Sequence, residues 1–282
     1  MFNLENKENI LKYKIFIICI LTGLFIPLLA LVSCNSEHEK TEGDKFPTNT
    51  QNEAEKQVIV DKLITSIIIP AIKTNIDIYN STTWDETAEA YDISGANQLF
   101  DVIEYDNAQS QKTKYNGNDD ESKTTRREMY LSLHYISSII KAFGALANKM
   151  VAAKNAQMKT ELENMVDKLR KQGKAFYFTA YNTLITKQDK LLKLDLSDLQ
   201  TLKVKFDAIN SANKKIYPAF VKPITNDYYK NIEIGTAKHT LQDNATAGEI
   251  QTYLKDKFNS AEPHFNTIIN EATDIANILK KI

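Results

Sequence analysis

Between Thr125 and Met150 the apolar residues Met129, Leu133, Ile136, Ile140, Phe143, Ala147 and Met150 step by 4, 3, 4, 3, 4 and 3. This spacing lays them along one side of an α-helix, whereas a strand would need alternation by two. It predicts one helix across the whole stretch, with a stripe wide enough to seat it in a bundle. A chain built from helices of this length needs few tight turns, and the sequence holds 8 Gly and 6 Pro among 282 residues. Strands joined by turns consume many more of both. The fold class read from the sequence is all-α.

Other stretches carry the same period. Ile59, Leu63, Ile67, Ile72, Ile76 and Tyr79 predict a first helix from near Glu53, kinked or split by Pro70. Thr83-Trp84-Asp85-Glu86 reads as a capping box opening a short helix, and Gln98 to Glu104 as helical. Tyr105 to Ser122 is polar and aperiodic, which fits either a mobile connection or a contact loop. A long helix is expected from Gln157 to Lys187, with Gly173 in its interior allowing a close crossing. Ser197-Asp198-Leu199-Gln200 reads as the box opening another, which Pro218 and Pro223 should end. Thr246 and Glu249 cap a helix to about Phe258, and Pro263 is expected to start the last one.

The N-terminus reads differently. About twenty apolar residues, Ile15 to Ser33, follow Lys7, Lys12 and Lys14 and end in Leu31-Val32-Ser33-Cys34. A basic start, an apolar middle and small residues before a cleavage point make a secretory signal. The ending resembles the lipobox of bacterial lipoproteins, which implies that Cys34 is acylated, with palmitate among the expected modifications, and becomes the first mature residue. An uncleaved membrane-spanning anchor is the alternative, since the run is long enough to cross a bilayer. In either case the rest of the chain is expected outside the cytoplasm. The organisation read from the sequence is a signal peptide at 1–33, the lipidated Cys34 with a disordered polar tether at 34–52, and a helical domain at 53–282. With Cys19 inside the signal, the mature domain has no thiol for a disulfide or for Cys-based metal chemistry.

Motifs for catalysis are absent. The histidines at 38, 134, 239 and 264 lack an HExxH-type spacing, and there is no nucleophile elbow, phosphate loop or dinucleotide fingerprint. His134 is expected to be a packed or half-exposed helix residue rather than a ligand. Asp119-Asp120 reads as solvated carboxylates. A formal net charge of −1 gives no reason to expect nucleic acid. The chain is therefore expected to be no enzyme and to need no catalytic, cofactor-binding or metal site. Two basic clusters, Lys123, Arg126, Arg127 and Lys168, Arg170, Lys171, Lys174, fit a solvated helix face, with Glu161, Glu163 and Asp167 one turn before the second. The other reading is a patch for an acidic polysaccharide or host protein. Trp84 and Tyr228-Tyr229 are either binding anchors or caps on the end of a bundle.

The segment Arg126-Arg127-Glu128-Met129-Tyr130-Leu131-Ser132-Leu133-His134-Tyr135 resembles the Arg-x-x-x-Tyr-x-Ser-Leu-x-Tyr pattern of the Borrelia paralogous family 54 outer-surface lipoproteins. This group includes complement regulator-acquiring surface protein 1. Arg126, Tyr130, Ser132, Leu133 and Tyr135 carry the match, and the lipobox, tether and helical stripes agree with it. The resemblance implies a bundle of about seven helices, with the Arg-Tyr segment structural, displayed on the outer membrane at the cell surface. It further implies a surface antigen with a role in virulence through a host serum or matrix protein, without favouring a complement regulator. In the founding member the C-terminal helix forms a dimer. Here the stripe Phe265, Ile268, Ala272, Ile275 and Leu279 has the width of an ordinary core face, which favours a helix folded back on its own bundle and a monomer over a dimer. Two other functions remain open: a small-molecule carrier with a groove between helices, and a passive antigenic coat protein.

Overall fold

A computed structural model describes residues 48–64 and 68–282. The signal run, the lipobox with Cys34, most of the tether, His38, and residues 65–67 including Ile67 of the first stripe lie outside the described residues. The first helix, α1 (Thr48–Ile64), starts inside the stretch read as tether, five residues before Glu53. A second, α2 (Ile68–Asn80), holds Pro70 at its third position.

Two one-turn helices follow, α3 (Glu86–Glu89) and α4 (Leu99–Val102). Asp85, not Thr83, caps α3 by accepting from the Thr87 N–H at 2.9 Å. Residues 105–122 are neither a helix nor a bare connection. Strands β1 (Glu104–Asp106) and β2 (Lys112–Lys114) pair antiparallel, with Tyr105 opposite Thr113. Tyr105 and Tyr115 turn inward and are buried, so two aromatic residues at the hairpin base order an otherwise polar segment.

The stripe from Thr125 to Met150 is divided. It forms α5 (Asp120–Ser132) and α6 (Ser137–Ala152), separated by a turn in which His134 and Tyr135 both hold left-handed backbone, φ 57° and 55°. The His134 N–H reaches the Leu131 carbonyl and the Tyr135 N–H reaches that of Tyr130, a helix-ending pattern usually given to glycine. The 3.5-residue period survives the break because both helices face the same core. Asp119 caps α5 by accepting from the Ser122 N–H at 2.8 Å, so this exposed, solvated carboxylate also has a structural role. These bonds hold its pKa below the usual carboxylate value.

Residues 156–187 form one continuous rod: α7 (Ala156–Lys174), a π-helical segment (Ala175–Asn182) and α8 (Thr183–Lys187). After a 3-10 turn (Gln188–Lys193), a second rod combines α9 (Leu196–Ile216), a π segment (Tyr217–Val221) and α10 (Lys222–Tyr229). Asp195, not Ser197, caps this rod. Pro218 and Pro223 do not end it. The Lys222 N–H bonds the Tyr217 carbonyl five residues back, and this wider π spacing carries the chain past the two residues that lack an N–H.

A small hairpin, β3 (Glu233–Ile234) with β4 (His239–Thr240), leads into α11 (Ala247–Leu279). Thr246 and Glu249 make the expected reciprocal capping box. However, α11 is one helix of 33 residues, and Pro263 sits inside it. Pro263 is exposed, so the carbonyl it leaves unbonded faces water. Ile250, Leu254, Ala261, Phe265, Ile268, Ala272, Ile275 and Leu279 are each fully buried, which makes α11 the axis of the core. It packs against α9, α7, α6 and both π segments. Lys187 holds its end by donating to the Leu279 and Ile282 carbonyls at 2.8 and 2.6 Å. The last helix is thus folded back on its own bundle. The long helices amount to seven rods, 48–64, 68–80, 120–132, 137–152, 156–187, 196–229 and 247–279, among the described residues.

Candidate functional site

The Arg-Tyr segment forms the most connected polar cluster of the fold. The Arg126 Nε lies 2.8 and 2.9 Å from the two carboxylate oxygens of Glu86, and its Nη1 donates to the Tyr115 and Gly117 carbonyls. Tyr130 donates its hydroxyl to the same Glu86. Burial and this neighbouring carboxylate push the Tyr130 pKa well above the ordinary phenol value, so it remains a donor. Arg127 donates to the Tyr79 and Ser81 carbonyls at 2.7 and 2.9 Å and lies over the Trp84 ring at 5.0 Å. Trp84 in turn meets Tyr135 edge-on at 5.3 Å and Tyr130 at 6.0 Å. Ser132 closes onto the Met129 carbonyl, and Leu133 is buried. These residues join α2, α3, β2 and α5, and Trp84 closes the cluster rather than standing out as an anchor.

The second basic cluster is also turned inward in part. Arg170 reaches Glu128 at 3.0 Å and the Tyr115 hydroxyl at 3.3 Å, while Lys174 meets the other oxygen of Glu128 at 3.1 Å. Glu128 is a buried carboxylate and needs such partners. Lys171 pairs with Asp167 at 2.6 Å, and Lys168 donates to Asn266 at 2.8 Å. Of the two clusters, Lys123 alone has no ion pair or side-chain hydrogen bond among the described residues, so they do not form one open cationic patch. Sequence spacing could not reveal the inward turn of Arg126, Arg127 and Arg170, because the carboxylates and the 79–84 carbonyls that hold them sit 40 and more residues away.

Gly173 explains how α7 and α5 come this close. A Cβ there would lie 2.6 Å from the Glu128 carbonyl and 2.9 Å from the Ser132 N–H, which places the two helix backbones in contact. Just beyond it, the π segment presents Tyr177 to His134, with the hydroxyl 2.6 Å from Nδ1 and 3.0 Å from the amide of Asn75. Burial lowers the His134 pKa to about 4, so the imidazole is neutral at pH 7. It is a packed residue, as expected, but in a turn rather than a helix.

An open cleft of about 700 Å³ lies between the β3–β4 hairpin, the end of α10 and the start of α11. Ile232, Ile234 and Tyr253 form its apolar wall, and Asp227, Glu249, Asp256 and Lys257 its charged one. Each of these charged groups is engaged locally. Asp227 accepts from the Tyr253 hydroxyl at 2.9 Å, and Asp256 pairs with Lys257 at 3.1 Å. Glu249 accepts from Thr246 and stands 2.9 Å from His239, which draws its pKa down to about 2. Gly235, at φ 67°, lies so close to Glu249 that a Cβ would fall 2.7 Å from the carboxylate. The sequence marked Glu249 only as a cap and gave no sign of this cleft, whose walls come from three separate elements. Among the described residues, no group of three or more His, Cys, Asp or Glu is placed to hold a metal ion. Nor is any described helix long and apolar enough to cross a membrane.

Tyr229 is half exposed at the end of α10, its hydroxyl donating to the Ser138 carbonyl at 3.3 Å, and Tyr228 meets it edge-on at 5.2 Å. Of the aromatic residues singled out in the sequence, Tyr229 is the one left open to solvent.

Known structures share this arrangement. Outer surface protein BBA66 from Borrelia burgdorferi matches with a TM-score of 0.58 at 14% identity, covering 78% of this chain and 99% of that one. Outer surface protein BBA65 from the same organism matches at 0.58 and 16%, with the same coverage. The Borrelia spielmanii protein BSA64 matches at 0.51 and 17%, covering 81% and 96%. At such identities the likeness concerns the fold. No curated protein matches the sequence. The family model for the Borrelia Bbcrasp-1 domain matches residues 83–282, from just before Trp84 to the end of the last rod. The chain belongs to the Borrelia Bbcrasp-1 domain family, whose solved structural relatives include outer surface proteins.

Proposed function

We propose that this protein is a lipid-anchored outer-membrane protein that binds a host macromolecule from the cell surface, in adhesion, immune evasion or transmission. The observation that carries this reading is the family match over residues 83–282, together with relatives described as Borrelia outer surface proteins. The lipobox sequence ending in Cys34 supplies the anchor. The function is one of binding rather than catalysis. The titratable groups around the cleft beside the β3–β4 hairpin are tied to one another, which leaves no nucleophile paired with a base there. Because α11 spends its apolar stripe inside its own core, the working unit is a monomer.

A small-molecule carrier fits less well. The cleft is open and its charged groups are already partnered, whereas a carrier site encloses its ligand among apolar walls with a few convergent polar groups. The test is capture from host serum and extracellular-matrix proteins by the purified full chain, followed by titration with each captured protein. Saturable binding of at least one host component is expected. Repeated absence of such binding would leave the antigenic coat reading in its place.

A further inference from the structure

Along the rod formed by α9, its π segment and α10, the positions Lys214, Pro218, Lys222, Asn226 and Lys230 are all exposed and recur every four residues. A plain α-helix would let such a row drift around its axis, since its period is 3.6. Here the step from Pro218 to Lys222 passes through the π segment, which takes more residues per turn and keeps the row on the solvent side. By the α-helical rise the lysines lie about 12 Å apart, so the row extends about 24 Å.

The row is electrostatically open. Lys214, Lys222 and Lys230 make no ion pair or side-chain hydrogen bond among the described residues. Many other lysines of this chain do, including Lys159, Lys171, Lys203, Lys205 and Lys281. No acidic residue occurs between Asp207 and Asp227, nor between Glu128 and Glu161. The second stretch contains all of α6, which packs beside α10 and adds Lys141 one turn beyond Ser138, the partner of Tyr229. Two of the nearby carboxylates are occupied, Asp227 by Tyr253 and Asp243 by Asn231 and Thr240, while the exposed Glu233 sits beyond the end of the row.

We propose that this lysine row is a docking surface for a linear, sulfated acidic polysaccharide lying along the helix from Lys214 to Lys230. The inference rests on the reading of a host-binding surface protein and names the chemical class of one partner. Charge complementarity selects the occupant. Ammonium groups spaced in a line are point charges that suit a chain with repeated anionic groups, without the planar fork that arginine offers a single phosphate. Asn226 adds a neutral contact in the same row. A folded protein partner would call for an apolar centre, and Tyr229 is the one large exposed apolar side chain of α10.

The test is titration of the full chain in detergent with heparin, with fully desulfated heparin and with a 20-base-pair DNA duplex, at several salt concentrations. Saturable heparin binding that weakens with salt is expected, and removal of the sulfates should abolish it. The triple variant Lys214→Gln, Lys222→Gln, Lys230→Gln should weaken it by roughly tenfold or more. A variant with the same charge change elsewhere, Lys190→Gln, Lys193→Gln, Lys280→Gln, should bind like the parent, and both variants should melt with the parent. Equal loss in the two variants, equal affinity for the duplex, or no saturable heparin binding would each overturn the proposal. If host proteins are still captured by the triple variant after such a result, the lysine row has failed while the broader host-binding reading stands.

Discussion

The Arg126 Nε–H is shared between both carboxylate oxygens of Glu86, at 2.8 and 2.9 Å across 40 residues of sequence, and this ion pair ties α3 to α5. Arg126 is almost fully buried, and it also satisfies two backbone carbonyls of the segment between β2 and α5. Replacing Arg126 with Ala takes the cation away from Glu86, leaving it the Tyr130 and Ser94 hydroxyls, and leaves both carbonyls without this donor. The expected cost is about 3–5 kcal/mol of stability, the range for breaking a buried pair. Lysine should recover only part of it, because one ammonium cannot reproduce the guanidinium fork. Urea denaturation of the two variants decides the matter. A loss below about 1 kcal/mol for the Ala variant would show the pair to behave as a surface one.

Two glycines on helices should respond in opposite directions. Gly173→Ala places a Cβ 2.6 Å from the Glu128 carbonyl, and a backbone neighbour cannot yield as a side-chain tip can. We expect about 1–3 kcal/mol of destabilisation despite the better helix propensity of alanine. At Gly248, in the first turn of α11, nothing lies within 4 Å of the added Cβ. Gly248→Ala should stabilise by about 0.5–1 kcal/mol. Thermal melts of both variants beside the parent are sufficient to test this.

His134 should make stability depend on pH. Its pKa falls from 6.5 in the unfolded chain to about 4 in the folded one, so the unfolded state binds the extra proton first as pH drops. Stability is full above about pH 6.5, declines as pH falls toward about 4, and by then has lost on the order of 2–3 kcal/mol from this group. Asn is the replacement of choice because it tolerates the left-handed backbone held there. His134→Asn should flatten the slope between pH 6.5 and 4 in denaturation measured across that range. An unchanged slope would assign the acid sensitivity to other groups.

Cys34→Ala should leave the helical core untouched and release the protein from the membrane. The readouts are partition between detergent and aqueous phases and the far-UV melting curve. Loss of the melt, rather than of the partition, would contradict the separation of anchor from folded domain.

Much of the fold was legible because helical periodicity and capping depend on residues a few positions apart. The 3.5-residue stripe around Met129 and Phe143, the box at Thr246 and Glu249, and the core face of Phe265 to Leu279 all follow from such local rules. The close crossing at Gly173 was foreseen as well, though its partner helix was not. Helix ends were read less well where two caps competed: Asp85 and Asp195 displaced Thr83 and Ser197, since a carboxylate next to the helix start accepts the same N–H groups.

Prolines misled the reading for a different reason. Pro218, Pro223 and Pro263 read as boundaries in the sequence, yet two are accommodated around a π segment and the third on an exposed face. A missing N–H ends a helix only where neither geometry nor water can accommodate the loss.

By itself, the sequence determined the all-helical class, the extent of the rod from 156 to 187 and the family segment around Arg126 and Tyr130, because each of these rests on residues within a few turns of one another. Tertiary structure alone decided that Arg126, Arg127 and Arg170 face inward, that His134 and Tyr135 break a continuous stripe, and that the lysines from 214 to 230 stay unpaired. Those outcomes depend on which carboxylate, carbonyl or ring lies opposite a side chain once distant segments pack. That neighbour is chosen by the packing of the whole core, and no spacing along the chain records it.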